Sequence, residues 1–135
     1  MRKKVNRVLL VDDDEDANFI QEKIIRKNDF AETIDKVCNG VEALEYLNDC
    51  IKGKHALPEI IFLDLNMPRM DGWSFIDKYN LLDEKVRKKI ELIILTSSIN
   101  PDDAERAKQT PEVKGYKTKF LNSEQLNEIL RIMPA

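Results

Sequence analysis

The sequence predicts an α/β protein built on one five-stranded parallel sheet with helices on both faces. Two short runs, Ile60-Ile61-Phe62-Leu63 and Leu92-Ile93-Ile94-Leu95, are wholly apolar and rich in β-branched residues, which is typical of strands buried on both faces. Three further strand-like runs alternate with segments in which apolar residues recur at helical spacing. With right-handed crossovers and strand order 2-1-3-4-5, the order reverses between the first and third strands, where parallel sheets place their sites.

Length and composition are those of one soluble domain. The 135 residues are 42% hydrophobic and 35% charged, so we expect residues 1–135 to form a single domain without an output domain. A net charge of -3 gives no reason to expect nucleic acid as a partner. No segment is long enough to cross a membrane or to serve as an export signal. Cys38 and Cys50 have neither metal-binding nor disulfide spacing, which favours ordinary thiols in a cytoplasmic protein.

The first half of the chain contains two strand-helix pairs. The first strand, Val5 to Val11, leads into five consecutive acids. The later acids suit the start of a helix, which leaves Asp12 and Asp13 at the strand tip, and this helix fades near Asn28-Asp29. Thr33 to Cys38 is the second strand, and a second helix follows. The residues predicted to face inward on these two helices are Ala17, Ile20, Ile24, Val41, Leu44, Leu47 and Ile51.

The second half adds three strands and three helices. The strand before Asp64 and the strand before Thr96 are the two apolar runs, and Val113 to Thr118 is the fifth strand. Asn100-Pro101 is a strong helix start, but the fourth helix that it begins has few apolar residues and should be short and mobile. Asn122 and Gln125 predict a capping box for the last helix. The residues predicted to face inward are Phe75, Tyr79, Leu82 and Val86 on the third helix, Ala104 and Ala107 on the fourth, and Leu126, Ile129, Leu130 and Met133 on the fifth.

Polar side chains follow the strands at one edge of the predicted sheet. Asp12 and Asp13 follow the first strand, Asp64 follows the third, Thr96 ends the fourth, and Lys119 lies just beyond the fifth. Three close carboxylates raise one another's pKa unless a cation neutralises them, and Mg²⁺ prefers such ligands. A carboxylate held against such an ion can act as a nucleophile on phosphorus. The metal, the lysine and the threonine hydroxyl can then each take one phosphoryl oxygen.

These motifs resemble the receiver domains of two-component response regulators, in the stand-alone, CheY-like form of the flavodoxin-like fold. The resemblance covers essentially the whole chain. Any one motif alone is weak, whereas four in the right order on the right strand ends are specific. The motifs are Asp12-Asp13, Asp64-Leu65-Asn66-Met67-Pro68-Arg69-Met70-Asp71-Gly72, Leu95-Thr96-Ser97 and Tyr116-Lys117-Thr118-Lys119.

The resemblance implies a phosphoacceptor in a phosphorelay. Asp64 is implied to take a phosphoryl group from a phosphohistidine, carried by a sensor histidine kinase or a phosphotransfer protein. The implied Mg²⁺ ligands are Asp12, Asp13, Asp64 and the backbone carbonyl of Asn66. In this interpretation the protein is not an enzyme in the usual sense, because it catalyses only its own phosphoryl transfer and a slow dephosphorylation.

The resemblance also implies a conformational switch. Thr96 is implied to turn toward the phosphoryl group and Tyr116 to swing inward, which changes the surface of the fourth helix, the fifth strand and the fifth helix. A downstream protein partner would bind this surface, while the oligomeric state, a monomer or a phosphorylation-dependent homodimer, stays open. Asn66 and Ser98 are the positions at which this family tunes dephosphorylation.

The chain departs from the family pattern at Phe120. Such domains usually have proline after the lysine, often with a cis bond. The Lys119-Phe120 bond is therefore either cis or trans, and a trans bond would aim Lys119 differently. The long loop Lys52 to Pro58 resembles that of regulators accompanying phytochrome-type kinases, and its His55 is expected to have no partner. Trp73 is interpreted as a packing residue at the start of the third helix.

Three other functions deserve comparison with this interpretation. A phosphatase of the haloacid dehalogenase type needs a second acid two residues after its nucleophile, where this chain has Asn66. A flavin carrier needs a first loop that cradles phosphate, which Asp12, Asp13 and Asp14 would repel. A receiver-fold interaction module that is no longer phosphorylated would not need the acid cluster, so the cluster argues against it.

Overall fold

The computed structural model describes residues 4–67, 69–98 and 100–133. Pro68, which belongs to the Asp64 motif, lies outside this range. No helix within the described residues is both long and apolar enough to cross a membrane. The described elements are β1 (Val5–Val11), α1 (Glu15–Lys27), β2 (Ala31–Val37), α2 (Gly40–Ile51), β3 (Ile60–Leu63), α3 (Gly72–Tyr79), α4 (Glu84–Arg87), β4 (Glu91–Thr96), α5 (Pro101–Lys108), β5 (Val113–Thr118) and α6 (Ser123–Ile132).

The five strands form one parallel sheet in the predicted order β2-β1-β3-β4-β5. In the central pair, Val11 of β1 lies opposite Leu63 of β3. The next residues, Asp12 and Asp64, therefore emerge side by side at the same edge of the sheet. The backbone N–H of Asp64 donates to the carbonyl oxygen of Val11 at 2.9 Å, which ties the two strand ends together.

Helices cover both faces of the sheet, as predicted. On one face, α1 and α6 pack against alternate strand residues; this core includes Val8, Leu10, Ile25, Ile60, Phe62, Ile93, Leu126, Ile129 and Leu130. On the other face, α2, α3 and α5 pack against the intervening strand residues; this core includes Leu9, Val11, Ala43, Leu47, Ile61, Leu63, Phe75, Tyr79, Leu92, Ile94 and Ala107. Because β3 is buried on both sides, each of its four residues must be apolar.

The predicted inner face of α1 was partly wrong. The helix buries Ala17, Asn18, Gln21 and Ile25, whereas Ile20 is 40% exposed. Two of these buried residues are polar because their amides reach backbone groups near the strand ends. Because apolar periodicity does not count polar residues, it predicts a different inward face for this helix.

The predicted inner face of α2 also needs correction. This helix buries Ala43, Leu47 and Cys50, while Ile51 is 49% exposed at its end. Cys50 is a free, buried thiol and Cys38 a free, half-buried one, in agreement with the sequence prediction.

The third helix is shorter than predicted, and the chain consequently has six described helices instead of five. α3 ends at Tyr79, and the side chain of Asp83 accepts the N–H of Lys85 to begin the four-residue helix α4. Leu82 and Val86 are half-buried against the α2–α3–α5 core, so their inward position is right although they are not in α3. The second strand begins at Ala31 instead of Thr33, because Ala31 pairs with Val5 of β1.

The last two helices begin as predicted. Asn100 caps α5, with Pro101 at the first helical position, and the helix is only eight residues long. Its only buried residue is Ala107, and the expected mobility of α5 stays a prediction. At α6, the side chain of Asn122 accepts the N–H of Gln125 at 2.8 Å, and the side chain of Gln125 accepts the N–H of Asn122 at 3.2 Å.

The substitution Asn122→Ala should destabilise the protein by about 1 kcal/mol, because it removes the acceptor for a helical N–H and half of the capping box. Urea denaturation followed by circular dichroism measures this loss. Asn127→Ala is the matched control, since Asn127 is exposed in the interior of the same helix and alanine there is a better helix former. Equal stability of the two variants would contradict the role of the cap.

Candidate functional site

An acidic cluster lies at the carboxyl edge of the sheet. One carboxylate oxygen from each of Asp12, Asp13 and Asp64 lies within 4.8 Å of the other two. Asp12 and Asp64 are each only 5% exposed, because they stand at the ends of the two central strands. Asp13 is exposed, one residue farther from the sheet. The cluster thus combines two buried carboxylates with one that reaches solvent.

Lys119 extends into this cluster from the loop after β5. Its Nζ lies 2.5 Å from Oδ2 of Asp12 and 3.6 Å from Oδ1 of Asp64. The backbone N–H of Lys119 donates to the carbonyl oxygen of Thr96 at 3.0 Å, which fixes the start of the loop against β4. The Lys119-Phe120 peptide bond is cis. Of the two arrangements left open by the sequence, the structure therefore has the cis bond, with the lysine aimed at the acids.

The charges of the cluster are only partly balanced. Burial, followed by the negative charge of Asp12, raises the pKa of Asp64 to about 6, although Lys119 opposes the shift. Burial disfavours the charge on Lys119, but its hydrogen bond to Asp12 and the charges of Asp64 and Asp12 outweigh that effect and raise its pKa. Three carboxylates facing one ammonium group leave excess negative charge. Such an all-oxygen, acidic donor set is what Mg²⁺ prefers, so the residues present fit a divalent cation.

The remaining predicted residues differ in how deeply they are buried. Thr96 is fully buried, and its Oγ1 accepts the backbone N–H of Ser98 at 3.1 Å. Ser98 is half-buried and its hydroxyl donates to Asp103 at 2.8 Å. Tyr116 is half-buried, and burial together with the charge of Asp103 raises its pKa. Asn66 is exposed in the loop beyond Asp64.

Gly72 allows the start of α3 to pack directly on the Asp64 loop. A Cβ atom at this position would lie 2.7 Å from the carbonyl oxygen of Asp64 and 2.9 Å from Cα of Leu65. The backbone N–H of Gly72 donates to the carbonyl oxygen of Leu65 at 2.9 Å. No side chain fits there, so the glycine sets the distance between α3 and the loop that carries Asp64.

Two residues that support the site were missed in the sequence. Nδ2 of Asn18 donates to the carbonyl oxygens of Asp12 at 3.0 Å and Val37 at 3.3 Å. Oε1 of Gln21 accepts the N–H of Leu121 at 3.2 Å, in the loop that also carries Lys119. Both amides are buried. The available signal was their spacing of three residues next to Ala17, which places all of them on one face of α1.

His55 has partners, contrary to the sequence prediction. Its Nδ1 lies 3.1 Å from Sγ of Cys50, and its ring centroid lies 4.3 Å from that of Tyr46. The loop after α2 folds back onto the end of that helix, which places the histidine beside residues five and nine positions earlier. The hydroxyl of Tyr46 donates to Asp35, so this group of side chains ties the loop and α2 to β2.

Comparisons with known proteins point to one family. The sequence model of the response regulator receiver domain matches residues 8–131. The crystal structure of a two component response regulator from Cytophaga hutchinsonii is 34% identical, with a TM-score of 0.88 over 95% of this chain and 96% of that one. The phosphorylated cyanobacterial phytochrome response regulator RcpA is 31% identical, with a TM-score of 0.69 over 94% and 89%. The probable methanogenesis regulatory protein FilR2 of Methanothrix harundinacea is 30% identical over 119 residues, which are 88% of this chain and 75% of FilR2.

The substitution Asp64→Asn should stabilise the metal-free protein at pH 7 by about 1 to 3 kcal/mol. The raised pKa of Asp64, about 6, means that the folded state holds this proton more tightly than the unfolded state. The resulting destabilisation is absent at low pH, develops as the pH rises toward 6 and is complete above it. Urea denaturation in EDTA at pH 7 and at pH 4.5 measures the difference, which should shrink at the lower pH.

Asp77→Asn is the control for this measurement, because Asp77 is exposed on α3. Its stability should match the wild type at both pH values. A wild-type protein more stable than Asp64→Asn in EDTA at pH 7 would contradict the electrostatic description of the cluster.

Proposed function

The chain belongs to the response regulator receiver family of two-component signalling, and on that basis we propose that it accepts a phosphoryl group on Asp64. The observation that carries the proposal is the position of this carboxylate. It lies at the end of the central strand β3, 5% exposed, within reach of Asp12, Asp13 and Lys119. The donor is a phosphohistidine on a sensor histidine kinase or a phosphotransfer protein. The similar regulator RcpA is known in a phosphorylated form, which supports phosphorylation of this chain.

The metal proposed for this site is Mg²⁺, held by Asp12, Asp13, Asp64 and the backbone carbonyl of Asn66. The excess negative charge of the cluster supports this ligand set, because it disfavours three ionised carboxylates without a cation. When bound, the ion would neutralise charge on the phosphoryl oxygens and on the carboxylates.

The proposed transfer uses the carboxylate of Asp64 as the nucleophile. One carboxylate oxygen bonds to phosphorus while the bond from phosphorus to the donor imidazole nitrogen breaks, and the electron pair leaves with that nitrogen. Lys119 then exchanges part of its contact with Asp12 for a phosphoryl oxygen, since its Nζ already lies 3.6 Å from Asp64. The hydroxyl of Thr96 donates to another oxygen. These groups stabilise charge in fixed positions, as phosphoryl transfer requires.

The proposed output is a change in the surface formed by α5, β5 and α6, which correspond to the predicted fourth helix, fifth strand and fifth helix. Thr96 turns toward the phosphoryl group and Tyr116 moves inward from its half-buried position. A downstream protein partner then binds the altered surface. The weak burial of α5, with Ala107 as its only buried residue, supports this choice of moving element.

Acetyl phosphate with Mg²⁺ should add one phosphoryl group to the wild-type protein, detected by intact-protein mass spectrometry. Asp64→Asn should gain none, because its side chain is no longer a nucleophile, and EDTA should suppress the reaction of the wild type. Asp77→Asn, an exposed acid on α3, should be modified like the wild type. Modification of Asp64→Asn would exclude Asp64 as the acceptor, and an unmodified wild type would favour an interaction module that is not phosphorylated.

The phosphoryl group should be lost over minutes or longer, not seconds. Asn66 and Ser98 are neutral, so neither can act as a strong general base toward an attacking water. The measurement follows the phosphorylated mass after acetyl phosphate is removed on a desalting column. The same phosphoprotein unfolded in urea gives the intrinsic hydrolysis rate of the acyl phosphate, and a folded lifetime of only seconds would contradict the prediction.

A further inference from the structure

The side chain of Trp73 joins α3 to α5. Its indole N–H donates to Oδ1 of Asp103 at 3.2 Å. The guanidinium group of Arg106 lies over the indole ring, 4.3 Å from the ring centroid, in a cation–π contact. Two residues one helical turn apart on α5 therefore hold the same ring. Trp73 thus does more than the packing that its sequence position predicted.

The same carboxylate connects α5 to Thr96. Oδ2 of Asp103 accepts the hydroxyl of Ser98 at 2.8 Å, so both carboxylate oxygens are used. The backbone N–H of Ser98 in turn donates to Oγ1 of Thr96 at 3.1 Å. We call Trp73, Ser98, Asp103 and Arg106 the α3–α5 bridge. It forms a continuous series of contacts from the buried threonine hydroxyl to α3.

Both ends of the bridge are joined to the part of the fold that carries Asp64. At one end, Ser98 donates to Thr96, which lies at the carboxyl end of the strand next to β3. The other end is Trp73, which directly follows Gly72, the residue packed against the carbonyl oxygen of Asp64. Since Ala107 is the only buried residue of α5, the bridge adds polar contacts to a helix that has little apolar burial.

We propose that the α3–α5 bridge holds α5 in the position seen here and that phosphorylation of Asp64 opens it. This inference rests on the proposed function and adds the means by which the site regulates α5. When the hydroxyl of Thr96 turns to a phosphoryl oxygen, the N–H of Ser98 loses its acceptor. The loop carrying Ser98 then shifts, its hydroxyl leaves Asp103, and the contacts of that carboxylate with Trp73 break.

The coupling between the bridge and the phosphorylation site must be reciprocal. If phosphorylation weakens the bridge, weakening the bridge by mutation must strengthen binding of a phosphoryl analogue by the same factor. The direction of this effect distinguishes the proposal from a merely structural role. A structural support of the site would weaken binding when it is removed.

The probe for this test is beryllofluoride, a phosphoryl analogue, in the presence of excess Mg²⁺. Titration calorimetry on the whole chain gives its affinity. Asp103→Ala removes the centre of the bridge and should bind about fivefold tighter or more than the wild type. Asp102→Ala is the matched control, because it removes an exposed acid from the same helical turn and should bind as the wild type does. Trp73→Phe keeps an aromatic ring, loses the indole N–H and should also bind more tightly.

Trp73 is the only tryptophan of the chain, so its fluorescence reports on the bridge directly. Beryllofluoride with Mg²⁺ should change the emission of the wild type and of Asp102→Ala. The emission of Asp103→Ala without the analogue should already be close to that of the wild type with the analogue bound. Unchanged or weaker analogue binding by both Asp103→Ala and Trp73→Phe would overturn the proposal, as would a wild-type emission that does not respond. If the wild type bound no beryllofluoride and gained no phosphoryl mass, the proposed function itself would fail.

Discussion

The pairing of β1 with β3 is the constraint on which the site depends. Because Val11 and Leu63 are opposite one another, the sheet forces Asp12 and Asp64 together at a buried edge, where their like charges repel. Apolar burial along both faces of the sheet supplies far more free energy than this repulsion costs. The fold can therefore hold an arrangement that is locally unfavourable, and the excess negative charge is what suits the site to a divalent cation.

The polar groups around the acids follow from the same constraint. Lys119 relieves part of the charge, and its loop is held by Thr96 on one side and by Gln21 on the other. Asn18 satisfies the carbonyl oxygen of Asp12 at the point where β1 leaves the sheet. Nδ2 of Asn18 and Oε1 of Gln21 thus pair with buried backbone groups, which is why α1 presents amides where a helix of this kind usually presents aliphatic side chains, although Nε2 of Gln21 is buried without a hydrogen-bond partner among the described residues.

The sequence predicted the parallel sheet and the acid cluster because both follow from simple patterns, whereas the strand order, which the structure confirms, was that of the flavodoxin-like fold. An apolar run that ends on an acid marks the tip of a buried strand, and parallel topology brings such tips together. The patterns failed where contacts override local periodicity. Asn18 and Gln21 were not among the residues predicted to face inward, apolar spacing concealed the helix start at Asp83, and the contact of His55 with Cys50 depends on how a loop folds back. No local pattern in the sequence predicts the contacts of Trp73 with Asp103 and Arg106 of α5.

The weak attachment of α5 matters for any signal sent from the site. Inverting a two-state equilibrium from 1:99 to 99:1 takes about 5.5 kcal/mol, and a few charge-assisted hydrogen bonds, at about 1.5 to 3 kcal/mol each, can supply it. A helix buried like α6, with Leu126, Ile129 and Leu130 in the core, would need much more, since each such side chain contributes about 1.5 to 3 kcal/mol of burial. Helix α5 buries only Ala107 and is otherwise held by polar contacts that can be exchanged. The proposed phosphorylation of Asp64 would therefore supply a free energy of the size needed to exchange the polar contacts of α5, without exposing the core side chains of α6.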